Sequence, residues 1–233
     1  MRLHRFISTF DFTPAILKIH DPALVYQLLR VLRFQIGDEI ILCDGACGEA
    51  RVRILDIQKN IVDVEIIERM QNNREPITKV VLYVAMLKNE HFELVAQKAT
   101  EIGVSEIVPV ISERTVKLHL NETRMRTIIK EAAEQSGRGV VPLLYPSLSF
   151  DEMVQSVHTN DITLFFDPSG EPFSKEMITS DKKRIGVCIG PEGGWTEGEV
   201  QMTKDKGLVV VSLGSRILRA ETAAIVASGL ILL

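Results

Sequence analysis

The chain has 233 residues, of which 45% are apolar and 25% charged, with a formal net charge of −4. These proportions describe a folded domain and exclude a disordered, collagen-like or disulfide-held chain. No run approaches the roughly 20 apolar residues of a membrane span. Met1-Arg2-Leu3-His4-Arg5-Phe6 sets charge where a signal peptide would carry its apolar core, so a cytoplasmic location with no membrane partner is expected. Cys43, Cys47 and Cys188 suit a reducing compartment. The Cys43–Cys47 spacing has no second Cys or His pair near it, so no metal is expected.

In chain order, residues 1–33 carry five basic side chains (Arg2, Arg5, Lys18, Arg30, Arg33) against two acidic ones, while residues 141–233 carry eight and twelve. A locally basic start on an acidic protein is compatible with a phosphate-contacting surface. A short helix is predicted over Pro22–Leu32, followed by strands at Glu39–Asp44, Glu49–Ile57 and Ile61–Ile67. Arg51-Val52-Arg53-Ile54 alternates polar and apolar residues as a half-buried strand does. Asp44-Gly45 and Lys59-Asn60 supply the turns. This reads as a small β-barrel domain over residues 1–72, closed by the polar, proline-ended break Asn72-Asn73-Arg74-Glu75-Pro76.

Beyond the break the pattern changes. Buried strands are predicted at Val80–Met86, Ile107–Ile111, Ile162–Phe166, Ile185–Ile189 and Leu208–Leu213. Helices are predicted at Glu90–Ile102, Glu122–Ser136, Phe150–Val157, Thr196–Lys206 and from Glu221 onward. Such alternation implies an α/β domain over residues 73–233 with a parallel sheet covered on both faces.

In such folds ligands bind at loops leaving the carboxyl ends of strands. Two loops stand out. Gly190-Pro191-Glu192-Gly193-Gly194 follows a strand directly, and Thr196 with Glu199 forms a capping box for the next helix. Three glycines around a Pro-Glu pair exceed what a tight turn needs. The second loop, Gly214-Ser215-Arg216-Ile217-Leu218-Arg219-Ala220-Glu221-Thr222-Ala223, ends where the last helix begins and offers free backbone N–H groups. Arg219 and Glu221 are read either as a structural ion pair or as ligand contacts. The P-loop, the dinucleotide fingerprint and the nucleophile elbow are all absent.

The run Ile189–Trp195 followed by Leu213–Ala223 resembles the RsmE family of ribosomal RNA methyltransferases, of the SPOUT class. Lys88, Gln97-Lys98-Ala99-Thr100-Glu101-Ile102-Gly103-Val104, Ser112-Glu113-Arg114 and Glu131–Arg138 resemble further motifs of that family. So do Arg5-Phe6, Leu29-Arg30-Val31-Leu32-Arg33 and Gly37-Asp38 at the N-terminus. Departures are Tyr26-Gln27 where a His is usual, Asn89 for glycine, His91 where a basic residue is usual, and Trp195 for phenylalanine.

The resemblance implies a PUA-like RNA-binding β-barrel followed by a SPOUT trefoil-knot domain. It further implies a homodimer that uses S-adenosyl-L-methionine to methylate N3 of a uridine in 16S, small-subunit, ribosomal RNA. The cofactor contacts expected are Gly190, Pro191, Glu192, Gly193, Gly194, Leu213, Gly214, Leu218, Arg219, Thr222 and Ala223, with Arg219 as the catalytic residue that stabilises negative charge on the base. The RNA contacts expected are Arg5, Arg30, Arg33, Lys88, Arg114, Gln135 and Arg138. The competing readings are a PUA-like RNA-binding protein without catalysis, a SPOUT enzyme acting on another RNA, and an α/β enzyme binding a free nucleotide. The apolar end, Ile225–Leu233, is read as either interface or core.

Overall fold

The structure, a computed structural model, describes residues 3–116 and 119–233, so Arg2 lies outside the described residues. The chain divides into two compact units, Met1–Glu75 with Ala133–Val141, and Pro76–Ala132 with Pro142–Leu233. The first segment of the first unit ends at Glu75, inside the polar break Asn72–Pro76. The first unit also recruits a segment from well beyond it.

In the first unit, β1 (Arg5–Ile7) and β2 (Ile16–Ile19) precede α1 (Pro22–Tyr26), which runs into a π-helical turn at Gln27–Val31. Asp21 caps α1, its Oδ1 accepting from the Ala23 N–H at 2.9 Å, and Pro22 takes the first helical position, where no N–H is needed. Then follow β3 (Glu39–Cys43), β4 (Gly48–Gln58) and β5 (Ile61–Gln71). The strand order is β1-β3-β4-β5-β2, with β1 parallel to β3 and the other pairs antiparallel. Phe6, Leu17, Ile40, Val52 and Val64, one from each strand, share a single core with Leu24 and Leu28. A flat sheet cannot bring both edges to one core, so this sheet curls like a barrel. Register shifts between β4 and β5 at Arg51/Val52 and Ile54/Asp56 add to the curl. Each fully buried aliphatic such as Leu28, Ile40 or Ile54 contributes about 1.5–3 kcal/mol.

A buried polar network ties Ala133–Val141 to this sheet. Arg5 bonds to Glu49 and, at 3.4 Å, to Cys43 Sγ, while the Asn72 side-chain amide donates to Glu49 and to the Gly137 carbonyl. Arg138 donates to Glu75 Oε2 at 2.6 Å, and Glu75 Oε1 accepts from the Gly139 and Val140 N–H groups. The Ile7 N–H donates to Glu134. Burial pushes the Cys43 thiol up to about 11. Arg5 and Arg138 are thus 9% and 6% exposed and turned to carboxylates, which corrects the expectation that they face RNA. An arginine pulled from such a pair would leave a buried carboxylate uncompensated.

The second unit comprises β6 (Lys79–Ala85), α2 (Asn89–Ile102), β7 (Glu106–Ile111), most of α3 (Glu122–Ser136), β8 (Leu143–Leu144), β9 (Leu148–Ser149) and α4 (Phe150–Ser156). It continues with β10 (Ile162–Pro172), β11 (Arg184–Ile189), α5 (Glu197–Asp205), β12 (Val209–Ser212) and α6 (Ala220–Leu232). All strand pairs are parallel, in the order β12-β10-β11-β6-β7-β8 with β9 beside β7. Val81 and Tyr83 of β6 pack with Phe150, Met153 and Val154 of α4 on one face. Val80, Leu82 and Val84 alternate to the other face and are fully buried, and α6 packs there on β6, β11 and α2. Because β12 lies beyond β10, the chain reverses its direction of sheet growth after β11. The carboxyl ends of β10, β11 and β12 therefore border a switch point, where α/β sheets hold their ligands. Among the described residues no helix is long and apolar enough to cross a membrane.

Candidate active site

The loops leaving β11 and β12, with a turn inside β10 where its register breaks, line one cavity of about 570 Å³, within the range of small-molecule sites. The loop after β11 supplies Gly190–Trp195. Trp195 locks it in place: its indole N–H donates to the Phe166 carbonyl at 3.1 Å, and its ring stacks on Phe165 with centroids 4.6 Å apart. A Cβ at Gly190 would meet that indole at 3.1 Å, so only glycine lets the chain pass without displacing it. Gly194 turns at φ +69°, donating to the Pro191 carbonyl at 2.9 Å.

The turn after β7 clamps the same loop. Arg114 donates to the Gly193 carbonyl at 2.8 Å and to the Trp195 carbonyl at 3.3 Å. The capping box of α5 forms as expected, Thr196 accepting from the Glu199 N–H and Glu199 Oε2 accepting from the Thr196 N–H. The other oxygen, Oε1, accepts from the Glu113 N–H at 3.0 Å, so one carboxylate caps a helix and anchors a neighbouring turn. Lys88 is exposed at the N-terminal end of α2, and its backbone N–H donates to Glu192 at 3.3 Å.

The second loop contributes Leu213, Gly214, Arg216, Ile217, Leu218 and Arg219. Gly214 sits at φ +101°, a conformation closed to most side chains. Arg219 is the N-cap of α6 without a side-chain cap bond, and Ala220, Glu221 and Ala223 of the first turn also line the cavity. The third loop is Asp167-Pro168, where β10 breaks register with β12 between Phe166 and Glu171. Asp167 closes this turn by accepting from the Ser169 N–H at 2.9 Å.

Ten of the eleven residues expected to touch the cofactor line the cavity: Gly190, Pro191, Glu192, Gly193, Gly194, Leu213, Gly214, Leu218, Arg219 and Ala223. Thr222 is exposed and outside the lining. The two readings of Arg219 and Glu221 also separate. Arg219 is exposed with no ion-pair partner among the described residues, whereas Glu221 is 8% exposed and faces His91, whose Nδ1 lies 3.4 Å from Glu221 Oε2. Sequence reasoning missed Phe166, Asp167, Pro168 and His91. The run Asp167-Pro168-Ser169-Gly170 right after an apolar strand was a usable turn signal for Asp167 and Pro168. Of the RNA contacts, Arg30, Arg33 and Gln135 are exposed, and Arg33 has φ +59°. Among the described residues no cluster of three His, Cys, Asp or Glu is placed to hold a metal ion.

Residues 73–232 match the model of the RNA methyltransferase domain family, and residues 28–67 that of the RNA methyltransferase PUA domain. A Synechocystis protein named ribosomal RNA small subunit methyltransferase E is 34% identical over 213 residues, 88% of this chain and 69% of that one. The chain belongs to the ribosomal RNA small subunit methyltransferase E family. Its second unit is a SPOUT-class methyltransferase domain, preceded by a PUA-like domain. A Legionella pneumophila methyltransferase solved with bound S-adenosylmethionine superposes with a TM-score of 0.90 at 30% identity, over 99% of this chain and 97% of that one. A small subunit methyltransferase E of Neisseria gonorrhoeae, also bound to S-adenosylmethionine, gives 0.86 at 28% over 97% and 95%.

Proposed function

We propose that this protein binds S-adenosylmethionine in the cavity at the ends of β10, β11 and β12 and methylates N3 of a uridine in small-subunit ribosomal RNA. The observation that carries the reading is the convergence on one cavity of both glycine loops and of Arg219, which has no ion pair among the described residues. The lining fits the cofactor. Gly194 and Gly214 adopt positive φ and leave open space where a Cβ would stand, and Leu213 and Leu218 give the wall apolar surface for a purine ring.

S-adenosylmethionine, when bound, supplies a methyl group already activated by its sulfonium, so the protein has mainly to orient donor and acceptor. The glycine loops hold the donor by backbone groups, and Trp195 keeps the loop after β11 fixed. Arg219 stabilises negative charge that develops on the uracil as N3 loses its proton. Arg30, Arg33 and Gln135 are exposed to meet RNA, the arginines through phosphates that position the strand. Lys88 offers a further cation. Arg114 serves the cofactor loop rather than the RNA, since its guanidinium is committed to loop carbonyls. We assign the working form as a homodimer, to which Val226, Leu230 and Leu233 at the end of the chain contribute exposed apolar surface.

The test combines calorimetry with mapping of the modified base. The protein should bind S-adenosylmethionine alone. Reverse transcription of small-subunit RNA from cells lacking it should read through one uridine that otherwise blocks the enzyme, because N3 lies on the pairing edge. Absence of cofactor binding by folded protein, or a methyl group on a ribose, would overturn the assignment.

A further inference from the structure

Removing the N3 proton requires an acceptor, and Arg219 as a permanent cation cannot be one. Two titratable side chains of the cavity wall meet at the first turns of two helices, His91 of α2 and Glu221 of α6. His91 Nδ1 and Glu221 Oε2 lie 3.4 Å apart, both fully buried, and neither makes a hydrogen bond within the described residues. A pair serving only to staple α2 to α6 would be expected to close that bond, because an unmade bond between buried groups is costly. The second carboxylate oxygen, Oε1, is likewise without a hydrogen bond there, on a residue that lines the cavity. Glu90 Oε1 stands 3.8 Å from the other imidazole nitrogen, Nε2, and its side chain is 88% exposed. The three residues thus grade from the buried cavity wall to solvent.

Resting on the reading that this cavity methylates a uracil N3, we propose that Glu221 is the proton acceptor and His91 its relay. Glu221 Oε1 takes the N3 proton as the N3 electron pair forms the bond to the methyl carbon. The sulfur–methyl bond breaks with its electrons left on sulfur, giving S-adenosylhomocysteine. The carboxyl then turns to bring its protonated oxygen to the imidazole, and neutral His91 takes that proton at Nδ1 and releases its Nε2 proton toward Glu90 and water, which restores the carboxylate. Arg219 and Arg216 line the same cavity and favour the ionised form of the uracil. Histidine at position 91 offers two ring nitrogens, one facing Glu221 and the other Glu90, and so can pass a proton on.

The experiment is single-turnover methyl transfer to small-subunit RNA at saturating S-adenosylmethionine, across pH, with calorimetry for the cofactor. Glu221→Gln should lose about 10²–10⁴-fold in rate with cofactor affinity within about threefold of wild type. Glu221→Asp, which keeps the acid, should recover part of the rate and guards against a folding artefact when unfolding temperatures agree. NMR of ligand-free protein gives a readout independent of turnover: Glu221→Gln should move the His91 ring resonances, since the two side chains face each other at 3.4 Å. His91→Gln should slow transfer by about tenfold. A Glu221→Gln enzyme within threefold of the wild-type rate, or one whose defect disappears at saturating cofactor, would overturn the proposal. Failure of wild type to bind the cofactor or methylate uracil would instead remove the reading beneath it, and the wild-type controls show that directly.

Discussion

Arg138 in the first unit and Arg219 in the second both stand in polar runs that invite a ligand-facing reading, yet their surroundings are opposite. Arg138 is 6% exposed and bonded to Glu75, whose second oxygen also accepts two backbone N–H groups. Arg219 is exposed at a helix N-cap, with no ion pair among the described residues, on the rim of a cavity. The same contrast holds for carboxylates: Glu75 is saturated with partners, while Glu221, the more buried of the two, holds an oxygen with none among the described residues. A closed polar network spends its hydrogen bonds on fixing the fold. An open one keeps them for something that arrives later.

The largest expected effect lies in the closed network. Arg138→Ala should cost about 3 kcal/mol of unfolding free energy, since it takes the charged partner from the half-buried Glu75 carboxylate, while Arg138→Ala protein that still folds should keep its cofactor affinity. Chemical denaturation with parallel calorimetry checks both halves, and a loss of affinity without a loss of stability would break the comparison. Next comes the open site. Arg219→Ala should slow methyl transfer by about 10²–10³-fold with little change in unfolding temperature, as removal of a preorganised charge stabiliser does. Normal turnover in that variant would remove Arg219 from catalysis.

Smaller effects sharpen the contrast. Thr196→Ala breaks the capping box of α5 and should cost about 1 kcal/mol, seen as a lower unfolding midpoint in denaturant. At the other end of the sheet, the Arg184 guanidinium hydrogen-bonded to Glu106 holds that carboxyl below the usual carboxylate range. A depressed pKa stabilises the fold above the unfolded value and loses that contribution as pH falls through the folded one. The stability gap between wild type and Glu106→Gln should therefore be constant near neutrality and shrink on acidification below about pH 5. A gap that widens on acidification would contradict the assignment.

The alternation of strands and helices after Pro76 was legible because each element is long enough to show its period, and the three clustered glycines and the Thr196–Glu199 box are local chemistry. What stayed hidden was set by distant partners. β1 is three residues long and β2 four, too short to display a pattern before β3 and β5 pair with them. Arg5 and Arg138 look like surface cations until Glu49 and Glu75 are brought to them by the curl of the sheet and the return of Ala133–Val141. His91 and Glu221 are 130 residues apart in sequence, and only the packing of α6 on α2 makes them neighbours. The third loop was the nearest miss: β10 was expected to stop at Phe166, whereas it continues through a register break to Pro172.

The most direct test of the account is to digest small-subunit RNA to nucleosides after incubation with the protein and isotope-labelled S-adenosylmethionine, and to identify the labelled nucleoside by mass spectrometry. The account predicts a single labelled product, 3-methyluridine, formed by wild type and strongly reduced with Arg219→Ala. Label on a ribose or on another base, or full labelling by the Arg219→Ala protein, would contradict it.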